Sequence, residues 1–249
     1  MTITTGVRIG TGKPVCDDIA IVNDAVINND RYHCETHDLR VVGITDGVGG
    51  NAGGKEASLF VAEALSKMSF SSSTEDIKTQ IERLNHELIE YAAGIPGKNL
   101  MATTLTAIIT SQDRHYLVHV GNTRLYIAQG SYLKQLTTDQ TTYQWLLSHG
   151  QVEEAEHCNK NEISACLGGG NAALLQQLEV SQIFDDGLPL VLVFTSDGIH
   201  EYLDIDRLED LVFSGEPDAD IIQTAIDEAE TNGSTDDKTL VIVRVPDEV

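Results

Sequence analysis

The chain has 249 residues, 41% of them hydrophobic, and a formal net charge of −23. That length fits one domain, residues 1–249, with a single apolar core, and its regular apolar patterning excludes a disordered chain. So negative a surface repels nucleic acid and anionic membranes. With no apolar run behind the first basic residues and no apolar stretch near the ~20 residues a bilayer requires, a soluble, cytoplasmic protein is expected.

Residues 18–23 (DIAIVN) and 39–45 (LRVVGIT) read as strands. After a glycine-rich loop, Gly47 to Gly54, the helical spacing of Ala57, Phe60, Val61, Ala64, Leu65 and Met68 predicts one helix. Ser72-Ser73-Thr74-Glu75 resembles a capping box and opens a second, with the stripe Ile77, Ile81, Leu84, Leu88 and Tyr91; Gly94 and Pro96 end it. Thr103–Ser111, His115–Asn122, Leu125–Gln129 and Tyr132–Leu136 then follow as strands. Turns this short permit only antiparallel pairing. Residues 137–171 are polar, partly helical around Thr142–Ser148, and read as a flap-like segment. Leu188–Thr195 is a strand buried on both faces, Ile221 to Ala229 lies on a last helix, and Leu240–Val245 is the final strand. Helices in a block followed by strands in a block indicate an α+β fold, not alternating βαβ units.

The loop after residue 45 matches two nucleotide motifs imperfectly. G-x-G-x-x-G/A fits Gly47 to Ala52, but the following element is a second helix, so the βαβ unit of a dinucleotide site is missing. The P-loop pattern fits from Gly49 to Lys55 and fails at Glu56, where a Mg²⁺-ligating Ser or Thr is needed. Asp46, immediately before the loop, would repel a phosphate unless it first held a metal. Similar acidic positions recur at strand ends: Asp197 in Ser196-Asp197-Gly198, the pair Asp236-Asp237, and the pair Asp17-Asp18. Strands sharing one sheet edge would bring these carboxylates together, and like charges so placed need cations. Oxygen-only donors select Mg²⁺ or Mn²⁺ over Zn²⁺. His119 and His200 lack partners at ligand spacing and read as core or surface histidines. Cys16, Cys34, Cys158 and Cys166 form no C-x-x-C pair and read as reduced thiols.

The segment GITDGVGGNAGGKEAS (43–58) resembles the D-G-x-G-G-x-x-x-G-x-x-A-S motif of the metal-dependent protein phosphatases of the 2C type. LMATTLTAIIT, HVGNTRLYI, LTTDQT, HCNKNEISACLGG, VFTSDGIHEYL and STDDKTLVIV follow in that family's order and extend the similarity over the whole chain. The resemblance implies an antiparallel β-sandwich flanked by helix pairs, with two Mg²⁺ or Mn²⁺ ions at one end. It implies an enzyme that hydrolyses phosphoserine and phosphothreonine, using a water activated by the two ions, on phosphoprotein substrates of a serine/threonine kinase; a monomer is expected. By resemblance Asp46 bridges the ions, the Gly47 carbonyl ligates one, Asp197 and Asp236 complete the first site, and Asp17 and Asp18 serve the second. Lys13 stands where the family has a phosphate-gripping Arg, and lacks its bidentate fork. Asn122 and Glu201 fall where some members hold a weaker third ion, which is not expected here because Asn122 carries no charge. Asp237 replaces an Asn. These departures leave a second reading, a catalytically weak or inactive regulatory binding module.

Overall fold

The computed structural model describes residues 1–49, 52–184 and 188–246. The first part of the chain forms β1 (Thr2–Arg8), β2 (Ile19–Val22), β3 (Ala25–Ile27), β4 (Arg31–Glu35), β5 (Val41–Thr45), α1 (Gly54–Lys67) and α2 (Thr74–Ala93). The middle forms β6 (Ala102–Thr103), β7 (Leu105–Ser111), β8 (Arg114–Val120), β9 (Arg124–Gln129), β10 (Tyr132–Gln135), α3 (Thr142–Ser148), α4 (Val152–His157) and β11 (Leu167–Gly168). The last part forms β12 (Glu179–Ile183), β13 (Val191–Thr195), α5 (Asp197–His200), α6 (Ile205–Val212), α7 (Asp218–Thr231) and β14 (Lys238–Arg244).

Two six-stranded antiparallel sheets face each other, in the orders β10-β9-β13-β14-β1-β4 and β12-β8-β7-β5-β2-β3. The α+β class is as expected from the sequence, and β7 pairs with β8 and β9 with β10 antiparallel. The expected run of four is broken, however: β8 and β9 lie in different sheets, the short turn over residues 121–123 carrying the chain from one sheet to the other. Near-continuous apolar strands arise because both faces of each sheet are covered. Val42, Ile44, Leu192, Phe194, Val241 and Val243 point between the sheets. Their neighbours in sequence point outward, as the two-residue strand period requires. Val41 packs with Val61 and Leu65 of α1 and with Ile81 and Leu88 of α2. Val193, Leu240 and Ile242 pack with Leu211 of α6 and with Ile222 and Ile226 of α7. Three apolar layers therefore hold four structural layers, helices outside and sheets within.

The cap of α2 is Ser73, whose hydroxyl accepts from Asp76 N–H at 3.1 Å, one residue later than the box read from the sequence. Tyr91 ends the predicted stripe yet lies exposed, stacked on Phe60. The helix at Thr142–Ser148 forms with the expected bounds. The segment around it is fastened at its base by a Thr141–Ile163 bridge and by Ser164 N–H donating to Gln140 O at 2.8 Å. Gly50 and Asn51, inside both nucleotide-like motifs, lie outside the described residues. Among the described residues no helix is long and apolar enough to cross a membrane. All four cysteines are free thiols.

Candidate metal centre

The acidic positions do not share one sheet edge. Asp46 follows β5 and Asp18 precedes β2, neighbouring strands of one sheet, whereas Asp197 follows β13 and Asp236 precedes β14, neighbours in the other. Facing sheets bring their strand ends to the same end of the sandwich, and there the four carboxyls meet. Burial, then the charges of Asp18, Asp197 and Asp236, hold the Asp46 carboxyl well above the ordinary carboxylate range. Burial and the neighbouring Asp237 raise Asp18 to about 7; burial and Asp236 raise Asp197 to about 7. Burial, then Asp237, also pushes Asp17 up.

Backbone and hydroxyl contacts fix each of these residues. The Asp46 carbonyl accepts from Thr104 N–H at 2.8 Å and from the Thr103 hydroxyl at 3.0 Å. Gly47 bridges to Thr103, and its N–H donates to Asp17 O at 3.3 Å, joining the loop to the second acidic pair. Asp18 Oδ2 accepts from the Thr239 hydroxyl at 2.7 Å. Asp197 opens α5, and Ser196 couples that turn to β14: its N–H donates to Thr239 O at 3.0 Å and its hydroxyl accepts from Thr239 N–H at 2.9 Å.

Among the described residues no three or more His, Cys, Asp or Glu stand as a closed metal-ligating group. Other donors hold several of the oxygens instead. Asn122 Nδ2 donates to Asp197 Oδ2 at 3.0 Å, and the Lys13 ammonium pairs with Asp236 and, at 3.1 Å, with Asp237 Oδ2. Asp18 Oδ1 is buried without a partner. A buried, unpaired carboxylate oxygen among other carboxylates is costly unless a cation meets it. The donor set, all oxygen, fits a hard divalent ion.

No protein-family model matches the chain. The serine/threonine phosphatase stp of Listeria monocytogenes is 27% identical over 214 residues, 82% of this chain and 83% of that protein. The crystal structure of serine/threonine phosphatase Stp1 from Staphylococcus aureus superposes with a TM-score of 0.79 at 19% identity, covering 98% of this chain and 94% of that one. The catalytic domain of the serine/threonine protein phosphatase PstP, in complex with two manganese ions, superposes with a TM-score of 0.75 at 21% identity, covering 99% of this chain and all of that one. The chain is thus similar over most of its length to bacterial serine/threonine phosphatases and shares their fold, in line with its resemblance to the metal-dependent protein phosphatase family of the 2C type.

Within that family's frame, this chain's own departures have structural partners. Asp237 is 1% exposed and accepts from Gly10 N–H at 2.6 Å, Asp17 N–H at 2.7 Å and Lys13. An Asn amide there would present N–H to at least one of these donors. Asp237 thus ties residues 10–17 to the start of β14, a role the sequence reading missed. Lys238 was also missed: it is fully buried, and its ammonium donates to the Asp236 carbonyl at 2.7 Å. Glu201 accepts from Asn161 Nδ2 at 2.8 Å. His119 bonds the Thr106 hydroxyl and Thr138 O, and His200 bonds the Thr195 hydroxyl; these are satisfied histidines of the fold, as read from the sequence.

Gly198 is required where α5 crosses β14. A Cβ added there would lie 1.9 Å from the Asp237 carbonyl oxygen. Gly198→Ala is expected to cost about 1–3 kcal/mol or more through overpacking and to displace Asp197 beside it. Urea denaturation and manganese titration of the variant would reveal both losses; unchanged values would contradict this packing argument.

Proposed function

We propose that this protein is a serine/threonine protein phosphatase that hydrolyses phosphoserine and phosphothreonine with two divalent cations, Mg²⁺ or Mn²⁺. The observation that supports this most is the convergence of Asp18, Asp46, Asp197 and Asp236 from two sheets, with one buried carboxylate oxygen left without a partner. The Gly47 carbonyl would ligate one of the two ions, and Asp46, Asp197 and Asp236 would hold the first. Asp46, with Asp18 and Asp17 directly or through water, would hold the other. When bound, such ions make a water nucleophilic near neutral pH and offset charge on the phosphoryl oxygens.

The residues of this chain supply position. Thr103 and Thr104 fix the Asp46 backbone, Thr239 holds the Asp18 carboxylate, and Asp237 holds the segment that carries Asp17 and Asp18. The Asn122 amide on Asp197 places a hydrogen bond where a third cation would otherwise lie, so two ions and not three are proposed. The flap-like segment 137–171 would shape substrate choice, and the chain would act as a cytoplasmic monomer.

Release of phosphate from a phosphothreonine peptide in Mn²⁺, abolished by EDTA and at least tenfold slower on a nucleotide, is the expected result. Hydrolysis that persists in EDTA would remove the metal from the proposal. An inert protein with every divalent cation would favour the binding-module reading.

A further inference from the structure

Lys13 makes a contact that a phosphate-binding role does not explain. Its ammonium lies between two adjacent carboxylates of unlike character. Asp237 is buried and holds the Lys13 segment through Gly10 and Asp17 as well, so it is a fixed partner. The Asp236 side chain is 46% exposed, and its Oδ1 takes both the Lys13 ammonium and Asp237 N–H, the latter at 2.8 Å. Asp236 is also among the carboxylates that raise Asp46 and Asp197, so it faces the centre of the cluster. An ammonium and a divalent cation on the same carboxylate repel each other, and at about 4 Å that repulsion is strong in a partly dehydrated site. A lysine stem is flexible enough to swing while one end of its ion pair holds.

We propose that Lys13 is a tethered cation that competes with the divalent ion for Asp236, and that metal binding drives its ammonium off Asp236 while Asp237 retains it at the rim. The released ammonium then meets the oxygens of an anionic substrate. Metal binding and phosphate binding are therefore coupled with the same sign, and the coupling is reciprocal. This rests on the metal centre described under the proposed function. It differs from simple phosphate gripping because it assigns Lys13 two successive partners.

Two measurements on the whole chain test it. The first is calorimetric titration of Mn²⁺ into wild type, Lys13→Met and Lys13→Arg. Removing the competitor is expected to tighten Mn²⁺ binding by at least about fivefold, and inorganic phosphate is expected to tighten it further in wild type but not in Lys13→Met. The second uses wild type alone: amine acetylation read peptide by peptide by mass spectrometry. Labelling of Lys13 is expected to rise when Mn²⁺ is added, with exposed Lys67 as the unchanged control. Equal Mn²⁺ affinity in wild type and Lys13→Met overturns the competition. Tighter binding in Lys13→Met without any rise in Lys13 labelling overturns the displacement and leaves only a field effect. A wild-type protein that binds no Mn²⁺ overturns the metal centre itself, an outcome distinguishable from both.

Discussion

Asp46→Asn is expected to abolish phosphopeptide hydrolysis and, at the same time, to raise the melting temperature of the metal-stripped protein. The two effects have one origin. Asp46 is half-buried beside Asp18, Asp197 and Asp236, and its carboxyl is displaced upward by loss of solvent and by all three. Each unit of such a shift corresponds to about 1.4 kcal/mol of unfavourable interaction in the ionised form. An amide is neutral without taking up a proton and so avoids that cost, and its N–H₂ can donate to Asp18 Oδ1, which has no partner. In a chain of this size each kcal/mol recovered is worth about 2–4 °C. Function moves the other way, because the amide cannot supply the anionic oxygens proposed to bridge two cations. Outer-shell neighbours of metal ligands already cost about 10–100-fold when mutated, so the loss of a bridging carboxylate should exceed about 100-fold. Calorimetry in EDTA and peptide turnover in Mn²⁺ measure the pair. A variant that keeps its turnover, or melts earlier in EDTA, would contradict the proposed assignment of Asp46.

The site was legible in the sequence to the extent that each carboxylate adjoins an apolar strand. Asp46 follows Val41–Thr45, Asp197 follows Val191–Thr195, Asp18 precedes Ile19–Val22 and Asp236 precedes Lys238–Arg244. Those strands announce themselves because both their faces are buried. β1 does not. Its TITTGVR pattern is half polar, yet Thr4 and Thr5 are buried between β4 and β14, a placement set by tertiary pairing and not by local preference. β4, half exposed at the sheet edge, and α6, eight residues capped by the Asp204 side chain, were also passed over. The sequence made the meeting of these carboxylates conditional on one shared sheet edge, and they meet across two sheets instead. Sequence order does not reveal that β5 and β13 lie in different sheets, and only their stacking brings Asp46 to Asp197. The role of Asp237 was out of reach because its donors are 220 residues or more away. Lys238 is the clearest case: nothing local predicts that a lysine in the final strand is fully buried with its ammonium on the Asp236 carbonyl.

Metal removal should make the protein's stability fall as pH rises above neutrality, the reverse of ordinary carboxylate behaviour. Asp18 and Asp197 are raised to about 7 and Asp46 is held well above the ordinary carboxylate range, each chiefly by burial. The unfolded chain releases these protons near pH 4. Between those limits the folded state binds more protons than the unfolded one, so unfolding free energy declines with pH. The stabilisation is fully present below about pH 4 and is lost as pH rises through the folded values. His115, His119 and His200 oppose this at lower pH: burial keeps them neutral in the fold, so they favour stability as pH rises toward 6.5. From about pH 6.5, where the unfolded histidines are half titrated, to about pH 7.5 that opposing contribution dies away, and the retained carboxyl protons increasingly set the slope, at most about 1.4 kcal/mol per pH unit for each. Thermal unfolding in EDTA from pH 6.5 to 8 should therefore show a falling melting temperature, and Asp46→Asn should flatten it. Divalent cations take the place of the protons, so the stabilisation by Mn²⁺ should grow over the same interval. Titrations in two buffers of different ionisation enthalpy should register proton release. An EDTA curve that is level or rising from pH 6.5 to 8, with no protons displaced by Mn²⁺, would mean that these carboxyls are already ionised in the folded chain.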